Sequence, residues 1–233
     1  MKQSVGQKVD GFLRFRIDLA YEGTDFAGWA KQPGLRTVQG ELLRALEQIF
    51  GPSTDDFGMR VAGRTDAGVH AEGQVVHIDL SDAQLKRLGR SQDIALKLNT
   101  LLPKDIRVKK VIAAPKGFDA RFSASFRRYR FTIADAVSGW NPLYSRTRLW
   151  VTAELDVKKM QEAGQLLIGL KDFSAFSKAR EGATAIRELK VLKVSRNKAL
   201  GNVIEIELMA DAFAHNMVRS IVGALVKVGS GKA

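Results

Sequence analysis

Between Phe12 and Tyr21 apolar and polar side chains alternate, with Leu13, Phe15, Ile17 and Leu19 on one face and Arg14, Arg16 and Asp18 on the other. That two-residue period predicts a half-buried strand. The turn-rich stretch YEGTDFAGWAKQPG follows. Thr37 then reads as the N-cap of a helix whose Val38, Leu42, Leu46, Ile49 and Phe50 recur at helical spacing, ended by Gly51-Pro52. A short strand is expected from Phe57 to Ala62. A glycine-punctuated loop comes next, then a strand on which Val76, Ile78 and Leu80 alternate with Val75, His77 and Asp79, His77 being read as a surface residue. Helical segments are expected from about Asp82 to Leu102, broken near Gly89-Arg90-Ser91 and stopped by Pro103. Ile106 to Ala113 reads as a strand.

The order β-α-β-β-α-β is the ferredoxin-like pattern, and the second half nearly repeats it. Phe126 to Ala134 predicts a strand. Asp156 predicts the cap of a helix carrying Val157, Met160, Ala163, Leu167 and Leu170. Ala185 to Ser195 and Val203 to Ala210 predict two strands joined by a turn over Asn197 to Asn202, and His215 to Val228 a helix. A last strand is then due, and GSGKA stands in its place, so the second repeat is expected to lack it. The pattern therefore predicts an α+β chain of two ferredoxin-like repeats, residues 1–113 and 114–233.

Charge adds what periodicity cannot. The net charge of +12 is unevenly spread: 17 Lys/Arg stand against 14 Asp/Glu in residues 1–113, and 20 against 11 in residues 114–233. A basic balance of this size favours a polyanionic partner, most often nucleic acid. The 233-residue length suffices for two small domains with real cores. Cysteine is absent, which excludes disulfides and thiolate zinc sites. No apolar run reaches membrane-spanning length, and MKQSVGQKVDGF has no signal-peptide core, so a cytoplasmic protein without a membrane partner is expected.

Two stretches carry candidate chemistry. In VAGRTDAGVHAEGQV, Gly63, Gly68 and Gly73 recur every five residues around Arg64, Thr65, Asp66 and His70. An aspartate near a cation and flanked by turns can act as nucleophile, base or metal ligand, or can simply satisfy its own loop as an Asx-turn residue. In RFSASFRRYRF four arginines interleave with four aromatics; on a strand Arg127, Tyr129 and Phe131 share one face, Phe126, Arg128 and Arg130 the other. Aromatic faces stack on bases while guanidiniums hold phosphates, so Arg127, Arg128 and Arg130, with Lys31, are candidate RNA contacts. The alternative is an ordinary strand with its arginines in water. Arg219 lies in the mainly apolar AFAHNMVRSIVGALV, either needing a buried partner or exposed at a helix start. The three histidines show no metal-ligand spacing, and neither a phosphate-binding P-loop nor a serine-hydrolase elbow occurs.

Taken together, YEGTDFAGW, RTVQGEL, AGRTDAGVHAEGQVVH, LNTLLPKDIRV, FDARFSASFRRYRF, DFSAF and FAHNMVRSIVG resemble the TruA family of tRNA pseudouridine synthases, in the family's order and over nearly the whole chain. The resemblance implies two repeats whose mainly antiparallel strands join into one sheet, with helices on one face and an RNA cleft between. It implies isomerisation of uridine to pseudouridine at positions 38 to 40 of the tRNA anticodon stem-loop, by a homodimer that needs no metal and no cofactor. Asp66 matches the catalytic aspartate and Tyr129 the tyrosine that packs on the target uracil. Arg219 matches the residue that ion-pairs with the aspartate, and Arg64 the arginine that helps hold the flipped nucleotide. Ala30 and Phe131 depart from the glutamine and second tyrosine common at those places, and family members continue beyond the GSGK-like turn. Two rivals compete: a noncatalytic RNA-binding protein, and a metal-assisted nuclease built on Asp66, His70 and Asp79.

Overall fold

The computed structural model describes residues 8–9, 11–89, 93–178, 182 and 184–232, which divide into two units, 1–124 and 125–233. In the first, β1 (Lys8–Val9) pairs with the start of β2 (Phe12–Tyr21). Next come α1 (Val38–Phe50), β3 (Arg60–Val61), β4 (Ala71–Ser81), α2 (Asp82–Lys86), α3 (Ile94–Leu101) and β5 (Ile106–Ala113). Antiparallel pairing places β5 beside β2, β2 beside β4 and β4 beside β3, the strand order of a ferredoxin-like repeat. The alternation read in β2 is realised: Ile17 and Leu19 are buried with Val76, Ile78 and Leu80 of β4 and with Val38, Leu42 and Leu46 of α1 in one core. Thr37 caps α1 by accepting from the Gly40 N–H at 3.2 Å.

The opposite face of this sheet is polar but covered. Arg14 and Asp79 are cross-strand neighbours joined by two hydrogen bonds of 2.7 Å, and Arg14 also donates to the Phe118 carbonyl at 2.8 Å. Residues 114–124 return over this face and group with the first unit. The expectation that His77 is a surface residue is overturned: it is fully buried. Its Nδ1 accepts from the Ala120 N–H at 3.0 Å, its ring meets Phe118 edge-on, and its Nε2 is buried without a hydrogen-bond partner. The expected strand from Phe57 shortens to Arg60–Val61, because Asp56 and Phe57 adopt positive φ (53° and 58°) and turn the Phe57 ring into the core against Phe50. Of the expected helix break, Gly89 has φ 63°, while Arg90 and Ser91 lie outside the described residues.

The second unit contains β6 (Arg127–Ala134), β7 (Leu149–Trp150), α4 (Val157–Gln165), β8 (Gly169–Asp172), β9 (Ile186–Asn197), β10 (Val203–Ala210) and α5 (Met217–Gly229). Its sheet runs β7-β6-β10-β9-β8, antiparallel except for the two-residue parallel pairing of β7 with β6. Met160 of α4 and Met217, Ile221 and Leu225 of α5 are buried with Ile133, Leu189, Ile204, Ile206 and Leu208. Asp156 caps α4 through the Lys159 N–H at 3.0 Å. That helix ends at Gln165, and Leu170 sits in the unexpected edge strand β8 at 71% exposure, which opens on Gly169 with φ 107°. After α5 no further strand occurs among the described residues. The pairings form two five-stranded sheets, one in each unit, each strand finding its partners through local hairpins and crossovers of its own repeat.

Candidate active site

The loop between β3 and β4 carries Arg64 and Asp66, both exposed. It is held from beneath and from one side. The side tie comes from residues 22–29, which run antiparallel to it. The Trp29 N–H donates to the Thr65 carbonyl at 3.0 Å, the Gly68 N–H to the Phe26 carbonyl at 3.3 Å, and the Gly23 N–H to Nδ1 of His70 at 3.0 Å. Two glycines permit this approach. A Cβ on Gly23 would collide with the Val69 carbonyl, and one on Gly28, whose φ is 102°, would stand 2.9 Å from the Thr65 carbonyl oxygen. The tip is a tight turn in which the Asp66 carbonyl accepts from the Val69 N–H at 3.2 Å and Gly68 takes φ 74°.

From beneath, Tyr21 at the end of β2 places its hydroxyl 2.8 Å from the Thr65 hydroxyl. Gln74 of β4 donates to that Tyr21 oxygen at 3.2 Å and to the Gly63 carbonyl at 2.9 Å. Burial pushes the Tyr21 phenol up, against the opposing pull of its bonds to Thr65 and Gln74, so the group remains a neutral donor. Sequence reading passed over Tyr21 and Gln74. The available signal was their place: Tyr21 continues the inward face of Ile17 and Leu19, and Gln74 that of Val76 and Ile78, so each sets a polar group at the end of a core-facing row.

In the second unit Tyr129 lies on the inward, half-buried face of β6, its ring packed edge-on against Phe213 with centroids 4.9 Å apart. Arg127, on the same face, donates to the Asp211 carbonyl at 2.7 Å. Arg128 and Arg130 point outward and are exposed, and Arg128 stands 3.1 Å from Glu207. Phe213 belongs to the connection into α5, on whose first turn Arg219 is exposed. A cation there opposes the helix dipole, and the N-cap Asn216 makes no side-chain cap bond, so helix stability does not account for an arginine at this position. Lys31 stands 3.3 Å from Asp56 in an exposed pair.

The trio required by a metal-assisted nuclease is not gathered. Asp79 is engaged by Arg14, His70 by Gly23, and among the described residues no group of three or more His, Asp or Glu side chains is placed to hold an ion. No helix among the described residues is long and apolar enough to cross a membrane.

Comparison with known proteins identifies the family. A family model described as tRNA pseudouridine synthase matches residues 19–123 and 163–233. The chain is 47% identical over 236 residues to tRNA pseudouridine synthase A of Leifsonia xyli subsp. xyli, covering 96% of this chain and 81% of that protein. It is 46% identical over 226 residues to tRNA pseudouridine synthase A of Streptomyces griseus, covering 97% and 78%. Against tRNA pseudouridine synthase A of Bifidobacterium longum, identity is 42% over 248 residues, covering 94% and 82%. A family match across both units, joined to relatives of this similarity over nearly the whole chain, places the protein in the tRNA pseudouridine synthase family, isomerases that act on RNA.

Proposed function

We propose that this protein converts uridine to pseudouridine in tRNA, at positions 38 to 40 of the anticodon stem-loop, with Asp66 as the nucleophile. The observation that carries the reading is an exposed aspartate at the tip of a tight turn, on a loop tied to its neighbouring strand and segment through both backbone and side chains. Preorganisation of this kind favours a group that must meet a reacting atom in one geometry.

The reaction breaks the N1–C1′ bond, turns the uracil and rejoins it through C5, which gives up its hydrogen to solvent while N1 takes up a proton. Asp66 attacks through its carboxylate, at C6 of the base or at C1′ of the sugar, and its bond to the substrate breaks again before the product leaves. The isomerisation balances without metal or cofactor. Tyr129 packs on the detached ring and keeps water from it, Arg219 pairs with the Asp66 carboxylate, and Arg64 helps hold the extruded nucleotide. Extraction from the stack costs a few kcal/mol, which contacts from Arg64 and Tyr129 offset in part. The first repeat supplies the catalytic loop, while the second, with Arg127, Arg128 and Arg130, supplies most of the grip on RNA, Lys31 adding to it. The working form is a cytoplasmic homodimer with tRNA touching both subunits.

Asp66→Asn tests this reading. The variant is expected to bind tRNA as the parent does and to lose tritium release from tRNA labelled at uracil C5. Release at the parental rate removes Asp66 from the role of nucleophile.

A further inference from the structure

We propose that the Tyr21 hydroxyl, oriented by Gln74, is a positioning group for Asp66, acting through Thr65. The inference deepens the proposed function and rests on its assignment of Asp66.

Donor accounting sets the direction of the chain of bonds. The Gln74 amide nitrogen has two hydrogens and two acceptors in reach, Tyr21 Oη and the Gly63 carbonyl, while its Oε1 accepts from the Val75 N–H at 3.2 Å. Having accepted from Gln74, the phenol has one proton to give, and Thr65 Oγ1 lies 2.8 Å away. Tyr21 and Gln74 are only 4% and 8% exposed, so no competing water reaches this junction freely. The Tyr21 ring packs against Trp29, whose own N–H holds the Thr65 carbonyl. Residue 65 is thus fixed at its side chain by β2 and at its backbone by Trp29, and residue 63 is fixed at its carbonyl by β4. The two anchor points bracket Arg64 and lead directly into Asp66. Neither Tyr21 nor Gln74 is assigned contact with RNA; they set where the carboxylate starts.

A core tyrosine with a merely structural role would behave differently on removal of its hydroxyl. Stability would fall and the chemical step would not. Tyr21→Phe keeps the ring and removes the bond to Thr65, and displacement of a nucleophile by even a fraction of an ångström lowers the rate of the step without weakening ground-state binding. In single-turnover reactions of the full-length protein with saturating tRNA, Tyr21→Phe is expected to slow conversion by about tenfold or more, with the Kd for tRNA within about twofold of the parent. Thr65→Ala should slow it similarly, Thr65→Ser should recover most of that loss, and the double variant Tyr21→Phe/Thr65→Ala should be no slower than the slower single variant. Multiplying losses in the double variant, affinity lost in step with rate, or a parental rate in Tyr21→Phe would each overturn the inference. If Tyr21→Phe does not fold, the Thr65 pair decides: equal parental rates in Thr65→Ala and Thr65→Ser count against positioning. Asp66→Asn run alongside separates the two levels. An inactive Asp66→Asn beside a fully active Tyr21→Phe defeats only the positioning role, whereas an active Asp66→Asn defeats the assignment of Asp66 and the inference with it.

Discussion

Arg196 grips Asp135 through both terminal nitrogens, at 2.9 and 2.8 Å, and the aspartate side chain is completely buried. The same carboxylate accepts from the N–H groups of Leu155 at 3.1 Å and Ser138 at 3.2 Å. Burial alone would push its pKa up, but the Arg196 hydrogen bonds and the two backbone donors outweigh that and hold it down at about 2. Because the folded-state value lies below the unfolded one, the contribution to stability is complete above about pH 4 and is lost as pH falls towards 2. It amounts to about 2 kcal/mol. Denaturant midpoints of the parent and Asp135→Asn should therefore differ most near neutrality and converge on acidification. Arg196→Ala, which strands a buried carboxylate, should cost about 3 kcal/mol at pH 7.

His77 gives a second pH signature, in a higher window. Burial lowers its pKa below the ordinary 6.5, helped by the positive charge of Arg14, while Asp119 and Asp79 pull the other way and Arg60 lowers it further. The unfolded chain takes up a proton near pH 6.5 that the folded one resists, so stability falls as pH drops from 6.5 towards the folded-state value. His77→Asn, whose side-chain oxygen can still accept from the Ala120 N–H, should flatten the slope of unfolding midpoint against pH between 7.5 and 5.5. An unchanged slope would assign it to other groups.

Gly23→Ala should destabilise the protein by about 2 kcal/mol or more, because the new methyl meets the Val69 carbonyl, a backbone atom that cannot swing aside. The same strain acts on the turn carrying Asp66, so turnover should fall as well. Gly73→Ala is the control for stability: it lies in β4, a Cβ there meets nothing within 4 Å, and its effect should stay within about 0.5 kcal/mol. Thermal melts of the two variants make the comparison.

RNA binding should weaken steeply with salt, since a chain of net charge +12 that holds phosphates releases counterions. Fluorescence anisotropy between about 50 and 200 mM salt should show a linear fall of log affinity, and a flat response would contradict the charge argument. Under the proposed function, Tyr129→Ala should reduce turnover more than affinity, because one stacking contact is a small part of a large interface. Matched losses would place Tyr129 in binding alone.

The elements that periodicity set out most clearly are those whose pattern and burial agree. β5 runs over Ile106–Ala113 and α1 begins after its Thr37 cap as expected, since their side-chain rows match the faces that the core takes up. The failures arise where distant chain decides. His77 reads as exposed on an alternating strand until residues 114–124, which have no period of their own, return to cover it. Phe57 looks like the start of a strand, yet burial of its ring against Phe50 outweighs the cost of a positive φ. Leu170 continues a helical row and is drawn into an edge strand instead. In the candidate site the exposed residues Arg64, Asp66 and Arg219 stand out as motifs. Tyr21 and Gln74 do not, because their importance lies in two hydrogen bonds between residues more than 40 positions apart.

The antiparallel ties between residues 23–29 and 65–70 make chain length, as much as side-chain identity, a conserved quantity for anyone redesigning this protein. Two of the three ties use backbone groups on both sides, so most side chains along them can be exchanged while the spacing cannot. Adding or deleting a residue between Gly23 and Trp29 would slide one segment against the other and carry the turn at Asp66 with it. A graft of the Asp66 loop into another scaffold must accordingly bring both segments, transplanted as one part.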